Sequence, residues 1–147
     1  MFKKLFEYFK RKRFDFYLAG PMRGIPNLNT PLFNTTAAML RRSGYTVFNP
    51  AEVNDDNLSF EECMRVDLDA VINKCESVVL LPGWRRSIGS NGEVFTACLC
   101  GRDVFEFCKD EDWFILTPVD TTKFKLPYRR AYLKSVQLSK GATKKSK

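Results

Sequence analysis

Ser77–Leu99 reads SVVLLPGWRRSIGSNGEVFTACL. Val78 to Leu81 form a short unbroken apolar run, as in a parallel strand buried on both faces. Pro82-Gly83 breaks the run, and a polar loop follows with Ser87, Gly89, Ser90, Asn91 and Gly92. A helix then starts, with Glu93 expected in its first turn and Val94, Ala97 and Cys98 at helical spacing. The order is strand, Gly-rich loop, helix, with a carboxylate where loop and helix meet. Open α/β sheets hold their ligands at such carboxyl ends, and the loop N–H groups suit an anionic or polar ligand. The alternative is that Glu93 only caps its helix, since acids are favoured in a first turn.

The rest of the chain repeats this grammar. Phe14 to Ala19, FDFYLA, reads as a strand and runs into the loop Gly20-Pro21-Met22-Arg23-Gly24-Ile25-Pro26. Thr30 as N-cap and Pro31 at the first position open a helix. Its buried stripe is Phe33, Thr36, Ala37 and Leu40, and Gly44 closes it. Tyr45 to Phe48 is the second strand. Ser59-Phe60-Glu61-Glu62 has the capping-box pattern and opens a helix to about Lys74. Met64, Leu68, Val71 and Ile72 are its expected core face, with Asp67 on the edge of that face. After Gly101, Asp103 to Phe107 and Trp113 to Pro118 read as further strands. The pattern predicts an α/β, flavodoxin-like, doubly wound fold of about five mostly parallel strands flanked by helices. The carboxyl ends of the first and third strands flank its switch point, so the loops at Gly20 and Pro82 are expected to meet at one cleft.

The chain has 147 residues, 44% of them hydrophobic, with 13 Phe, enough for one domain with a core. No apolar run reaches membrane-span length, and lysines interrupt any signal-peptide core near the start. Five cysteines without C-x-x-C spacing suit reduced thiols in a cytoplasm. Histidine is absent, so catalysis would fall to carboxylates, Tyr, Lys or Cys. No metal or cofactor is expected.

The net charge of +7 is uneven. Residues 1–13 carry +5 and residues 123–147 carry +9, which leaves −7 on residues 14–122. An acidic middle does not resemble a nucleic-acid-binding domain, but the two ends have the charge to meet phosphate or an anionic surface. The chain therefore divides into a basic amphipathic helix at 1–13, an α/β domain at 14–122 and a basic extension at 123–147. Phe2, Leu5, Phe6 and Phe9 share one face of the first, expected to dock on protein rather than lipid. Tyr128 to Leu138 reads as a short helix, and the last residues as a disordered tail.

YLAGPMRGIP at residues 17–26, taken with Ser87-x-Gly89-x-x-x-Glu93, resembles the nucleoside 2-deoxyribosyltransferase superfamily. It also resembles that superfamily's hydrolytic relatives, the 2′-deoxynucleoside 5′-monophosphate N-glycosidases. The GPM-x-G and LPGW-x-x-S-x-G patterns are most similar to those of its small, uncharacterised bacteriophage members. The likeness spans about Phe16 to Phe107. It implies Glu93 as nucleophile, Asp67 as the second acid and Tyr17 as the residue orienting the glutamate. It places Gly20, Met22, Arg23, Gly24, Ser87 and Gly89 around the substrate, with Arg23 near a 5′-phosphate. Pro21 stands where the glycosidases carry a hydroxyl residue, and Phe95 where a glycine is usual. Arg85 and Arg86, in a lengthened loop, are candidates to supply the phosphate ligand that Pro21 cannot. The resemblance further implies a small-molecule nucleotide or nucleoside substrate, a homodimer or higher oligomer, and the cytoplasm (of the host, for a phage-encoded chain).

The chemistry is consistent with those residues. Cleaving an N-glycosidic bond passes through an oxocarbenium-like state at C1′, which a carboxylate stabilises or captures. A second acid handles the proton of the base. Helix N–H groups are expected to lower the pKa of Glu93, and burial to raise that of Asp67. The rival expectations are a non-catalytic nucleotide-binding protein on the same scaffold, and an adaptor acting through its basic ends.

Overall fold

A computed structural model describes residues 14–54 and 56–123. The expected helices at 1–13 and 128–138 and the terminal tail lie outside the described residues. Within them, β1 (Phe14–Ala19), α1 (Thr30–Arg42), β2 (Val47–Phe48), α2 (Phe60–Asp69), β3 (Cys75–Leu80), α3 (Ile88–Leu99), β4 (Asp103–Asp110) and β5 (Trp113–Pro118) follow in order. The sheet order is β2-β1-β3-β4-β5. The first four strands are parallel, and β5 returns antiparallel beside β4. This is the flavodoxin-like arrangement, with a hairpin where a fourth crossover would be. Two residues, Glu111 and Asp112, join β4 to β5, too few for the helix that a parallel return needs.

Side-chain alternation along β1 sorts the core into two layers. Phe16 and Leu18 pack with Phe33, Ala37 and Leu40 of α1. Tyr17 and Ala19 face the other way, into a cluster with Val71, Val94 and Ala97. Right-handed crossovers put α2 and α3 together on this second face. Tyr17 therefore meets whatever those two helices turn inward.

Several boundaries differ from the sequence reading. Thr30 is the first residue of α1 rather than its cap; the cap position is Asn29, with φ 56° and no side-chain cap bond. β2 is only Val47–Phe48, with Tyr45 outside it. β3 starts earlier, at Cys75, and its ladder ends at Leu80. The capping box at Ser59 and Glu62 is formed, and a π-helical turn at Ala70–Lys74 carries the second helix to the expected end. That wider turn rotates the stripe. Asp67, Ala70 and Val71 are the buried positions, Met64 and Leu68 are half-buried, and Ile72 is exposed. Asp67 thus sits in the middle of the buried face, not at its edge.

No described helix is long and apolar enough to cross a membrane. The five cysteines are free thiols.

Candidate active site

The β1–α1 loop leaves the sheet at Gly20, where no side chain fits: a Cβ there would lie 2.9 Å from Leu81 Cβ. This close approach brings the ends of β1 and β3 together. The β3–α3 segment is more regular than its composition suggests. Trp84–Arg86 form a 3-10 turn, and α3 begins at Ile88, capped by Ser87, whose Oγ accepts from the Ser90 N–H at 3.1 Å. Gly89 and Gly92, three apart, lie inside this helix. A Cβ on Gly89 would be 3.3 Å from Met64 Sδ, and one on Gly92 3.5 Å from Met64 Cε. The two glycines let α2 and α3 approach closely, at a propensity cost of about 1 kcal/mol each.

That approach brings the acids together. Glu93 is 6% exposed and Asp67 5% exposed, and both line one cleft with Gly20. The Tyr17 hydroxyl donates to Glu93 Oε1 at 2.8 Å and also interacts with the Asp67 carboxyl. Tyr17 itself is fully buried beneath the cleft, so it holds the glutamate from below and does not line the wall. Asn54 Nδ2 donates to both Asp67 oxygens at 3.0 Å. Asn54 was missed in the sequence because it lies in a loop with no periodicity.

The electrostatics correct one expectation. Glu93 lies in the second turn of α3, past the N–H groups left unpaired at a helix start. Burial, then the charge of Asp67, raise its pKa to about 8, against the lowering bond from Tyr17. Burial raises Asp67 to about 6, as expected, and the bonds from Asn54 and Tyr17 oppose the rise. The more acidic member of the pair is therefore Asp67, not Glu93. Between about pH 6 and about pH 8 the pair holds one proton.

Met22, Arg23, Arg86, Ser87 and Gly89 also line the cleft, as the sequence reading placed them. The Arg23 Nη2 donates to the Leu58 carbonyl at 3.1 Å, and its guanidinium lies 5.9 Å over the Phe60 ring. Besides Tyr17, two sequence candidates are not on the wall. Arg85 stacks 4.8 Å over Trp84 and its Nη2 is 3.5 Å from Glu106 Oε1. Gly24, at φ +79°, makes the turn and stands away from the cleft. The lining also includes Asn27, Leu28 and Asn29, three successive left-handed residues with φ between 51° and 56°. The cleft measures about 1460 Å³, more than a nucleotide fills. Among the described residues no cluster of three or more metal-binding side chains occurs.

A family model for a domain of unknown function, DUF4406, matches residues 14–106. The chain belongs to the DUF4406 family. A comparison with curated proteins finds no match. The span of the DUF4406 domain contains β1, β3, both cleft-forming helices and all of Tyr17, Asn54, Asp67 and Glu93.

Proposed function

We propose that this protein cleaves, or transfers, the N-glycosidic bond of a deoxynucleotide. The observation that carries the reading is the buried pair Glu93 and Asp67 at one cleft, with Tyr17 bonded to the glutamate. A nucleophile and an acid need one proton between two carboxyls, and this pair holds one around neutral pH. Before the reaction that proton rests on Glu93, the group with the higher proton affinity. Positive charge developing at C1′ favours the Glu93 anion and moves the proton to Asp67.

In the first step a Glu93 oxygen bonds to C1′ and the C1′–N bond breaks. Its electron pair leaves with the base, which takes the proton from Asp67. In the second step water, or an acceptor base, attacks C1′, gives its proton to Asp67 and frees Glu93. Tyr17 keeps the glutamate aimed, and its hydrogen bond strengthens as the carboxylate charges.

Arg23 and Arg86 on the cleft wall support a 5′-phosphate on the substrate, because a guanidinium binds phosphate bidentately and fixes C1′ against the nucleophile. The family resemblance supports completion of the site by a second subunit. Incubation with each common deoxynucleoside 5′-monophosphate and each deoxynucleoside, followed by chromatography for free base, tests the reading. Release of base from the monophosphates, or base exchange when a second free base is present as acceptor, supports it; intact substrates both without and with the acceptor refute it.

A further inference from the structure

Asn54 follows the helical turn Pro50–Glu52, and its backbone N–H donates to the Pro50 carbonyl at 2.8 Å. Among the described residues its side-chain amide has one set of partners, the two oxygens of Asp67. The other end of that amide, Oδ1, is buried and accepts from none of the described residues. A loop asparagine that serves backbone structure looks different. Five residues earlier, Asn49 Oδ1 accepts from the Ala51 N–H at 3.0 Å and organises the turn. Asn54 forgoes such a bond, so its orientation is set by Asp67.

An asparagine NH2 group only donates. Donation to both oxygens suits an acceptor-only carboxylate. A proton on Asp67 would give up one of the two bonds or set O–H against N–H. We propose that Asn54 is a positioning residue, which fixes the Asp67 carboxyl in the cleft and holds it as the anionic member of the pair until substrate arrives. The role Asp67 then plays rests on the glycosidic reading above; the clamp itself does not.

Other groups face the same carboxyl. Tyr17 reaches it from β1 and Glu93 from α3, and Asp56, Arg23 and Arg86 lie elsewhere on the cleft wall. Tyr17 already serves Glu93, which leaves Asn54 as the donor given over to Asp67. Burial raises the proton affinity of Asp67, and the Asn54 bonds are the first influence against it.

The test is a carboxyl-carbon NMR titration of the full chain, labelled at Asp and Glu, for wild type, Asn54→Ala and Asn54→Ser. Wild-type Asp67 is expected to titrate near 6. Loss of both bonds in Asn54→Ala raises its proton affinity by roughly ten- to a hundredfold, a shift of about one to two pH units. Asn54→Ser keeps one short donor and falls between the two, and it carries the test should the alanine variant fail to fold. An unchanged Asp67 midpoint in a folded variant overturns the proposal, because loss of a merely structural side chain would leave that titration in place. Turnover is scored separately. If no deoxynucleotide is cleaved but the midpoint moves, the proposed function fails and the role of Asn54 stands.

Discussion

Replacing Glu93 by Gln should stabilise the protein at alkaline pH and leave it nearly unchanged at acid pH. Glu93 is buried and its pKa stands at about 8, against 4.5 for an ordinary glutamate. Below the unfolded value both states hold the proton, and the group takes nothing from stability. As pH rises past it, the unfolded chain ionises alone. Stability then falls by about 1.36 kcal/mol per pH unit until the folded group also titrates near 8. The full loss is on the order of 3–5 kcal/mol, burial supplying most of it and the Asp67 charge the rest. Glutamine keeps the shape and an oxygen for the Tyr17 hydroxyl but carries no titrating proton. Urea unfolding of both proteins at pH 4 and pH 8.5 measures the effect. The variant should match wild type within about 1 kcal/mol at pH 4 and exceed it by several at pH 8.5. An equal difference at both values would refute a buried, proton-loaded Glu93.

Further outcomes follow from the same geometry. Tyr17→Phe removes the donor to Glu93, so the alkaline limb of the pH profile should move up and kcat/KM should fall on the order of tenfold or more, read by initial rates across pH. Wild-type kcat/KM should itself be bell-shaped with limbs near 6 and 8; a rate that climbs steadily past pH 9 would count against the one-proton pair. Arg23→Ala should lose on the order of 1.5–3 kcal/mol of the preference for a monophosphate over its nucleoside, from paired kcat/KM values; wild type treating both alike would remove the phosphate assignment. Gly20→Ala drives a methyl to 2.9 Å from Leu81 Cβ and should destabilise by about 1–3 kcal/mol in thermal or urea unfolding, while an unchanged midpoint would show that the ends of β1 and β3 can part freely.

Strand order and the cleft were legible because they rest on local signals. Short apolar runs at Phe16 and Val78 stop at glycine and proline, and the connections leave one economical winding. The start of α3 was not legible. SIGSNG has two glycines and three hydroxyl or amide residues, each of which disfavours helix alone. It is helical because Met64 of α2 packs where side chains on Gly89 and Gly92 would have stood. That tertiary fact moves Glu93 from the first turn to the second and reverses the sign of its expected pKa shift. Ile72 was misread for a related reason: apolar spacing assumes 3.6 residues per turn, and the π turn at Ala70–Lys74 breaks that register. Glu93, Asp67 and Tyr17 were expected together only from the family resemblance; strand parity and crossover hand set their shared face, with Tyr17 beneath the cleft and not on its wall. Arg85 and Arg86 are adjacent in sequence, and only the 3-10 turn at Trp84–Arg86 decides that the second joins the cleft and the first reaches Glu106.

Product analysis in ¹⁸O-labelled water tests the central claim most directly. Wild-type protein is incubated with a deoxynucleoside 5′-monophosphate, alongside Glu93→Gln, and the products are resolved by mass spectrometry. The account predicts free unlabelled base and deoxyribose 5-phosphate bearing ¹⁸O at C1′ from wild type, and neither from the variant. Intact nucleotide with wild type, or equal base release by Glu93→Gln, would contradict it.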